Sequence, residues 1–340
     1  MDLSLFFAGT GGSVPTARRG LPALLVRRGG ESILFDCGEG TQRQLVKSIG
    51  LPEVDMVFLT HFHADHWLGL PGMLKSFDLR ERRAPLTVFG PPGTRRLLDQ
   101  VKFIYGKLGY PFHVEELENG DWVPGDGYEV QAFNVRHRGT AFGYALVEED
   151  RPGRFDAELA ARLGVTPGPD FGRLQRGEAV GGVDPARVVG VDRPGRKLVV
   201  SGDTAPCERV EEAAHGADVL VHEATFVEED AARAAETGHS TARQAARLAA
   251  DADVRLLAMT HVSTRYVYAR DGSHPILDEA QAVFDRAILP RDYDQIDVPF
   301  PERGGPEVLC WSDRRAAARA KAAGDGEAAE PGTQPQEARA

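Results

Sequence analysis

Six residues, His61-Phe62-His63-Ala64-Asp65-His66, carry four side chains of the kind that bind metal ions. They follow the apolar run Met56-Val57-Phe58-Leu59, which has no helical period and reads as a buried strand. The loop at a strand's end is where a rigid scaffold presents functional groups. His61 and His63 alternate with Phe62, so both imidazoles face one way. Asp65 and His66, on the next turn, can face a second cation about 3.5 to 4 Å from the first, the separation used in two-metal hydrolysis. Neutral imidazoles with a bridging carboxylate suit Zn²⁺, and Mn²⁺ or Fe draw on the same ligand types. The alternative is an exposed polar loop, which would bring no packing benefit and would crowd imidazoles that repel when protonated.

Such a centre needs further ligands at other strand ends. His137 follows the strand through Phe133, Asp203 follows Leu198-Val199-Val200, and His261 follows Leu256 to Thr260. Each alone would more often be a surface or capping residue; together they offer two imidazoles and a carboxylate that can bridge. Gly9-Thr10-Gly11-Gly12-Ser13 lacks the Gly-x-Gly-x-x-Gly spacing and a following Lys, and Val14-Pro15 breaks any helix there, so a tight turn near the active-site rim is expected. His239-Ser240-Thr241 precedes Ala-Arg-Gln-Ala-Ala-Arg and reads as a helix start, a place that also suits phosphate.

The positioning elements alternate along the chain. Short β runs are expected at Leu3 to Phe7, Ala23 to Arg27, Ser32 to Phe35, Met56 to Leu59, Leu86 to Phe89, Tyr128 to Phe133, Tyr144 to Glu148, Lys197 to Ser201, Val219 to His222 and Leu256 to Thr260. Helical signals lie at Thr41 to Ser48, Leu70 to Phe77, Gly93 to Leu108, Thr241 to Ala250 and Ile276 to Phe284. Strands followed by helices in both halves predict an α/β fold, an αβ/βα sandwich of two mixed sheets with helices outside. Residues 151–196 break the rhythm. Pro and Gly punctuate them, their apolar residues look too sparse for a core of their own, and they carry more basic than acidic side chains, so composition alone favours a solvated surface insertion. From Arg314 onward apolar bulk disappears, predicting a disordered tail over 314–340 with at most a frayed helix over Arg314 to Ala323.

The His-x-His-x-Asp-His segment resembles the signature of the metallo-β-lactamase superfamily. Leu68-Gly69-Leu70-Pro71-Gly72-Met73-Leu74 and Gly139-Thr140-Ala141-Phe142-Gly143-Tyr144 narrow the resemblance to ribonuclease Z, an endonuclease that trims the 3′ end of precursor tRNA. The resemblance covers roughly residues 1 to 310. It implies a four-layer catalytic domain over 1–313 and an inserted, protruding RNA-binding arm over 151–196. The implied cofactor is two Zn²⁺, with Mn²⁺ possible in their place: His61, His63 and His137 on one cation, Asp65, His66 and His261 on the other, and Asp203 on both. It implies Asp65 as acceptor of the attacking water's proton, His239 as proton donor to the leaving oxygen and Glu223 of His222-Glu223-Ala224-Thr225 as its partner. Arg265 in Ser263-Thr264-Arg265-Tyr266 is implied as a phosphate clamp, Asp36 as a carboxylate that fixes a ligand's tautomer, with a turn-and-cap role as its alternative, and Arg173 and Arg176 of the arm as RNA contacts. Family members carry Pro-x-Lys-x-Arg-Asn after the glycine loop. Here Pro15-Thr16-Ala17-Arg18-Arg19-Gly20 retains Pro and Arg, which makes Arg19 a substrate contact, but lacks the ammonium and the amide. The partners implied are precursor tRNA and a second copy in a homodimer. A hydrolase of small phosphodiesters, cyclic nucleotides or sulfate esters with the same metals is the rival enzyme, and a non-catalytic RNA-binding module with structural metals is the third reading.

The 340 residues suffice for one large domain. A formal charge of −11 is unusual for a protein that grips phosphates, so any RNA contact rests on local clusters of Arg and Lys. No twenty-residue apolar span or signal series is visible, and a cytoplasmic protein is expected. Cys37, Cys207 and Cys310 are too far apart in sequence for a zinc ribbon or a disulfide framework, and Cys37 and Cys310 read as small buried hydrophobes.

Overall fold

The computed structural model describes residues 2–266 and 274–318. In chain order, β1 (Leu3–Gly9), β2 (Ala23–Arg28) and β3 (Glu31–Phe35) precede α1 (Thr41–Ser48), and β4 (Met56–Phe58) leads into α2 (Ala64–Trp67) and α3 (Leu70–Leu79). Next come β5 (Leu86–Gly90), α4 (Thr94–Gln100), α5 (Lys102–Tyr105), β6 (Phe112–Glu116), β7 (Trp122–Gly125), β8 (Tyr128–Asn134) and β9 (Phe142–Glu148). The arm holds α6 (Ala157–Arg162) and α7 (Pro169–Gln175). The second half runs β10 (Lys197–Val200), α8 (Glu208–Ala214), β11 (Val219–Glu223), α9 (Ala231–Thr237), α10 (Ala242–Asp251), β12 (Leu257–Thr260), α11 (Pro275–Gln281), β13 (Ala287–Ile288), β14 (Gln295–Asp297) and β15 (Glu307–Leu309).

Two mixed sheets result, one ordered β15-β14-β1-β2-β3-β4-β5-β6 and the other β13-β12-β11-β10-β9-β8-β7. The inner strands of each are apolar on both faces, which is why they read as continuous hydrophobic runs. Alternate residues divide between the faces. Leu5, Phe7, Ile33 and Phe58 of the first sheet meet Val130, Tyr144, Leu198 and Val219 of the second in a central core. Phe6, Leu25, Leu34 and Val57 point outward to Leu45 of α1 and Leu70, Leu74 and Phe77 of α3. On the far side Val199, Leu220 and Leu257 pack on Val210 of α8, Ala245 and Ala249 of α10 and Ile276 of α11. Fully burying one such Leu or Phe stabilises by about 1.5–3 kcal/mol. This is the expected αβ/βα order of layers.

Several expectations need correction. Gly93 to Leu108 is two helices, α4 and α5, with a break at Val101. The strands β6, β7 and β13 to β15 went unread because they are short or polar on one face. The arm does have a core: Ala160, Val165, Leu174, Val180, Val183 and Val188 are buried together, with Phe155 and Phe171 packed on them. Small β-branched residues fill a space that a count of large ones misses. The arm's two ends pair at Arg151 and Arg193, and both guanidiniums bind Glu302 at 2.9 Å. Cys310 is exposed rather than buried. Residues 311–318 are helical, and Arg314 donates to Gln295 Oε1 at 2.7 Å and to Tyr293 O at 2.6 Å, so the chain stays docked past residue 313. The remainder of the expected tail, from 319, lies outside the described residues. Among the described residues no helix is long and apolar enough to cross a membrane.

Candidate metal centre

The strand ends converge. Phe35, Phe58 and Phe89, near the ends of neighbouring β3, β4 and β5, stack at centroid separations of 5.4 and 4.8 Å beneath the His61 loop. From the opposite sheet, Tyr144 Oη donates to Leu59 O at 2.7 Å and the Phe142 N–H donates to Thr60 O at 2.9 Å. The loop carrying His61 and His63 is therefore fixed from both sheets, and α2 turns Asp65 and His66 back toward it.

Ligand-type atoms of His61, His63, His137 and Asp203 lie within 4.8 Å of one another, as do those of Asp65, His66 and His261. Asp203 Oδ2 stands between the groups, 3.8 Å from His61 Nε2, 4.0 Å from His137 Nε2, 3.3 Å from His66 Nε2 and 3.2 Å from His261 Nε2. Asp65 Oδ2 is 3.3 Å from His261 Nε2 and 3.6 Å from His66 Nε2. All seven sequence-derived ligand candidates thus come together in two clusters about one carboxylate oxygen.

The hydrogen bonds on the far side of each ring test whether this donor set fits metal ions. His66 Nδ1 donates to Asp36 Oδ2 at 2.7 Å, and His137 Nδ1 donates to Gly238 O at 2.8 Å. Thr60 gives its proton to Asp36 Oδ2 at 2.9 Å and accepts from His61 Nδ1 at 3.0 Å. Thr225 gives its proton to Glu223 Oε2 at 2.7 Å and accepts from His261 Nδ1 at 2.8 Å. In all four rings the proton belongs on Nδ1, which leaves each Nε2 lone pair pointing inward. Nε2 of His61 and of His66 is buried with no hydrogen-bond partner. Orphaned buried nitrogens are costly unless a cation takes them. His63 Nδ1 and His137 Nε2 stand 3.2 Å apart, close to the about 3.3 Å edge of a tetrahedron with 2.0–2.1 Å arms. The residues fit a pair of divalent cations.

The electrostatics agree. Burial disfavours charge on Asp203, but His261, His66 and His61 outweigh it and hold the carboxyl well below its usual range. Burial and the neighbouring His66 push His61 well below an ordinary imidazole. Burial opposes protonation of His66 too, yet Asp203 and Asp36 outweigh it and draw positive charge to the centre.

Beside the clusters, His239 Nδ1 lies 2.8 Å from Glu223 Oε1. Its ring stacks on His261 at 5.1 Å and tilts against His137 at 5.0 Å, between one histidine of each cluster. Burial resists charging His239, and the hydrogen bond it donates to Glu223 overcomes this, leaving the imidazole above its usual value. Glu223 also accepts N–H groups from Thr204 and Thr225 at 3.0 Å each, so the pair is rigid.

The glycine loop has a part in the centre that its sequence hinted at only as a turn. Ser13 N–H donates to Asp65 Oδ2 at 2.7 Å, and a Cβ on Gly12 would meet His261 Nδ1 at 2.3 Å. Asp292 anchors this loop, accepting from Thr10 N–H at 3.1 Å, Thr10 Oγ1 at 2.7 Å and Gly20 N–H at 2.6 Å. Asp36 and His261 both adopt φ of +57°, a left-handed backbone costly for non-glycine residues and common at functional sites. The sequence reading missed Thr60, Thr225 and Asp292, because their work lies in contacts with residues distant in the chain.

Arg19 and the start of α10 are engaged within the protein itself. Arg19 is buried at 8% exposure and spends its guanidinium on Thr10 Oγ1 at 2.6 Å and Pro290 O at 2.8 Å, so it braces the glycine loop instead of meeting substrate. The start of α10 is no phosphate site, since its N–H groups already bind Phe226 O, Glu279 Oε1 and the Thr241 side chain. Thr241 is the cap, with Gln244 completing a capping box. Arg265 is exposed just beyond His261. Arg173 and Arg176 are solvent-facing on the arm and pair with Asp170 and Glu178. Such exposed pairs are weak and exchange readily for other anions.

Comparison with known proteins decides the family. The profile of the Beta-lactamase superfamily domain matches residues 31–262. Ribonuclease Z of Methanosarcina acetivorans is 45% identical over 304 residues, covering 88% of this chain and 99% of that protein. Ribonuclease Z of Haloferax volcanii is 47% identical over 313 residues, covering 90% and 98%. The chain belongs to the ribonuclease Z family. The crystal structure of the short form of human tRNase Z superposes with a TM-score of 0.64 at 27% identity, covering 87% of this chain and 99% of that one. Members of the ribonuclease Z family are hydrolases that cut RNA internally, and this chain is an endoribonuclease of that class.

Proposed function

We propose that this tRNA 3′-processing endonuclease hydrolyses one phosphodiester 3′ of the acceptor stem, leaving a tRNA 3′-hydroxyl and a trailer with a 5′-phosphate. The observation that carries the reading is Asp203 Oδ2 shared between two histidine clusters, with the Glu223–His239 pair alongside. His61, His63 and His137 would hold one Zn²⁺, Asp65, His66 and His261 the other, and Asp203 both, with Mn²⁺ an acceptable substitute. When bound, such a pair supplies Lewis-acid charge for the phosphate and acidifies a water. Asp65, oriented by the Ser13 N–H, holds the proton that the attacking water gives up. His239 donates a proton from Nε2 to the departing 3′ oxygen, while Glu223 fixes its ring through Nδ1. Arg265 steadies the phosphate, and the arm over 151–196, with Arg173 and Arg176, grips the body of the tRNA at a distance from the cut. The protein works in the cytoplasm as a homodimer.

The test is cleavage of a 3′-extended precursor tRNA by the purified protein with Zn²⁺ or Mn²⁺. It is run beside bis(p-nitrophenyl) phosphate and beside a variant lacking residues 151–196. The reading expects single-site cutting that the deletion abolishes while diester turnover persists. Diester turnover by the full chain with no effect on precursor tRNA would replace it with a small-phosphodiester hydrolase.

A further inference from the structure

A groove of about 390 Å³ opens beside the metal clusters, lined by Arg136, His137, Arg138, Pro206, Glu236 and His239 among others. That volume is within the range of small-ligand sites. Two of its side chains, His137 and His239, also border the centre, so the groove continues it. The chain after β8 makes both at once: His137 turns Nε2 to the ligand cluster, while Arg136 and Arg138 on either side are exposed and line the groove. The Arg136 backbone is pinned, its N–H donating to Thr204 Oγ1 at 3.1 Å and its C=O accepting from Ala205 N–H at 2.8 Å. Arg138 Nη2 donates to Glu236 O at 3.0 Å, a backbone carbonyl that orients the fork without neutralising it. Among the described residues neither guanidinium is in an ion pair with a carboxylate, unlike Arg173 and Arg176 of the arm.

We infer that this groove is a nucleotide subsite: it takes the last nucleotide retained by the tRNA, with Arg136 and Arg138 meeting that nucleotide's own 5′-phosphate. The inference rests on the proposed proton donation by His239. The oxygen that leaves is the 3′ oxygen of that nucleotide, and the leaving group must stand on the side of its acid. The space that opens on the His239 side is the groove. Paired guanidinium forks suit phosphate oxygens, and their planes, with the flat ring of Pro206, offer a base or ribose something to lie on.

The experiment uses the full chain loaded with Zn²⁺, the variants Arg136→Ala, Arg138→Ala and the pair, and precursor tRNAs with trailers of different length. The pair is expected to raise KM for precursor tRNA about tenfold, equally at every trailer length, and by at least fivefold more than for bis(p-nitrophenyl) phosphate. Adenosine 5′-monophosphate is expected to inhibit diester hydrolysis competitively, and its Ki to rise about tenfold in the pair. Arg136→Lys with Arg138→Lys is expected to recover part of both losses. A penalty that grows with trailer length puts the trailer in the groove and overturns the inference, as does an unchanged KM with an unchanged Ki. If the unaltered protein cuts diester but no precursor tRNA, the tRNA reading fails, and the Ki comparison still decides the groove.

Discussion

Gly12→Ala is the sharpest probe of the centre, because the substitution adds one methyl group and changes no charge. The new Cβ would stand 2.3 Å from His261 Nδ1 and 2.4 Å from Cε1, while ordinary contact begins near 3.4 Å. Something must therefore move by about 1 Å, a misplacement that can cost about 10²-fold in rate. The ring cannot retreat freely, because Nδ1 is held by Thr225 Oγ1 at 2.8 Å. If the loop yields instead, Ser13 N–H leaves Asp65 Oδ2. Either route displaces a side chain of the Asp65, His66 and His261 cluster. We expect kcat to fall about 10²-fold on both precursor tRNA and bis(p-nitrophenyl) phosphate, since both need the centre. Overpacking adds about 1–3 kcal/mol of destabilisation, read by thermal denaturation. Kinetics on both substrates, with bound metal counted by elemental analysis, make the assay. A Gly12→Ala protein that turns over within threefold of the original and keeps its metal content would refute the close contact between the loop and His261.

His239→Ala is expected to lower kcat on precursor tRNA by about 10²- to 10⁴-fold. The loss on bis(p-nitrophenyl) phosphate should be far smaller, because p-nitrophenolate departs without a proton; equal losses on both would remove His239 from the role of acid. Glu148→Gln leaves Arg28 and Arg196 buried without the carboxylate that pairs with both at 2.7 Å, which should cost about 3–5 kcal/mol in chemical denaturation. Burial pushes the Glu148 carboxyl up, but the hydrogen bonds from Arg196 and Arg28 outweigh it and set it below its usual value. Its stabilisation is therefore complete above the unfolded carboxyl's pKa and is lost as pH falls through the lower folded one, so the gap between original and Gln variant should close in acid; a gap that widens there contradicts the pairing. Removing the metal with a chelator should lower the melting temperature, by the equivalent of about 4 kcal/mol for a cation at a thousand times its Kd. An unmoved melting temperature would mean that the inward-pointing imidazoles do not bind it.

Legibility depended on the range of the interactions. The clustering of the candidate ligands could be read from sequence because several come just after an apolar run, and a strand end exposes the residues beyond it: His61 after β4, Asp203 after β10 and His261 after β12. The layers were legible because buried strands and the Ala-rich α10 have contrasting periods. Arg19 suggests a substrate contact because it keeps the Arg of a family segment, whereas its burial involves Pro290, 271 positions away. Thr60, Thr225 and Asp292 were silent for the same reason, acting through partners brought in by the fold. The arm's core escaped notice because Ala and Val spaced through loops and two short helices form no periodic pattern.

The root of the arm sets how this fold can diversify. Residues 151 and 193 enter and leave side by side, a Cβ on Gly153 would strike Gly190 O at 1.9 Å, and Glu302 clasps both Arg151 and Arg193. The stretch between them has a core separate from those of the sandwich. The chain can therefore lengthen, shorten or replace its arm with two closely spaced junctions unchanged and no strand of either sheet shifted in register. Change in the arm's outer surface is thereby uncoupled from change at the strand ends, so the two can vary at different rates within one gene.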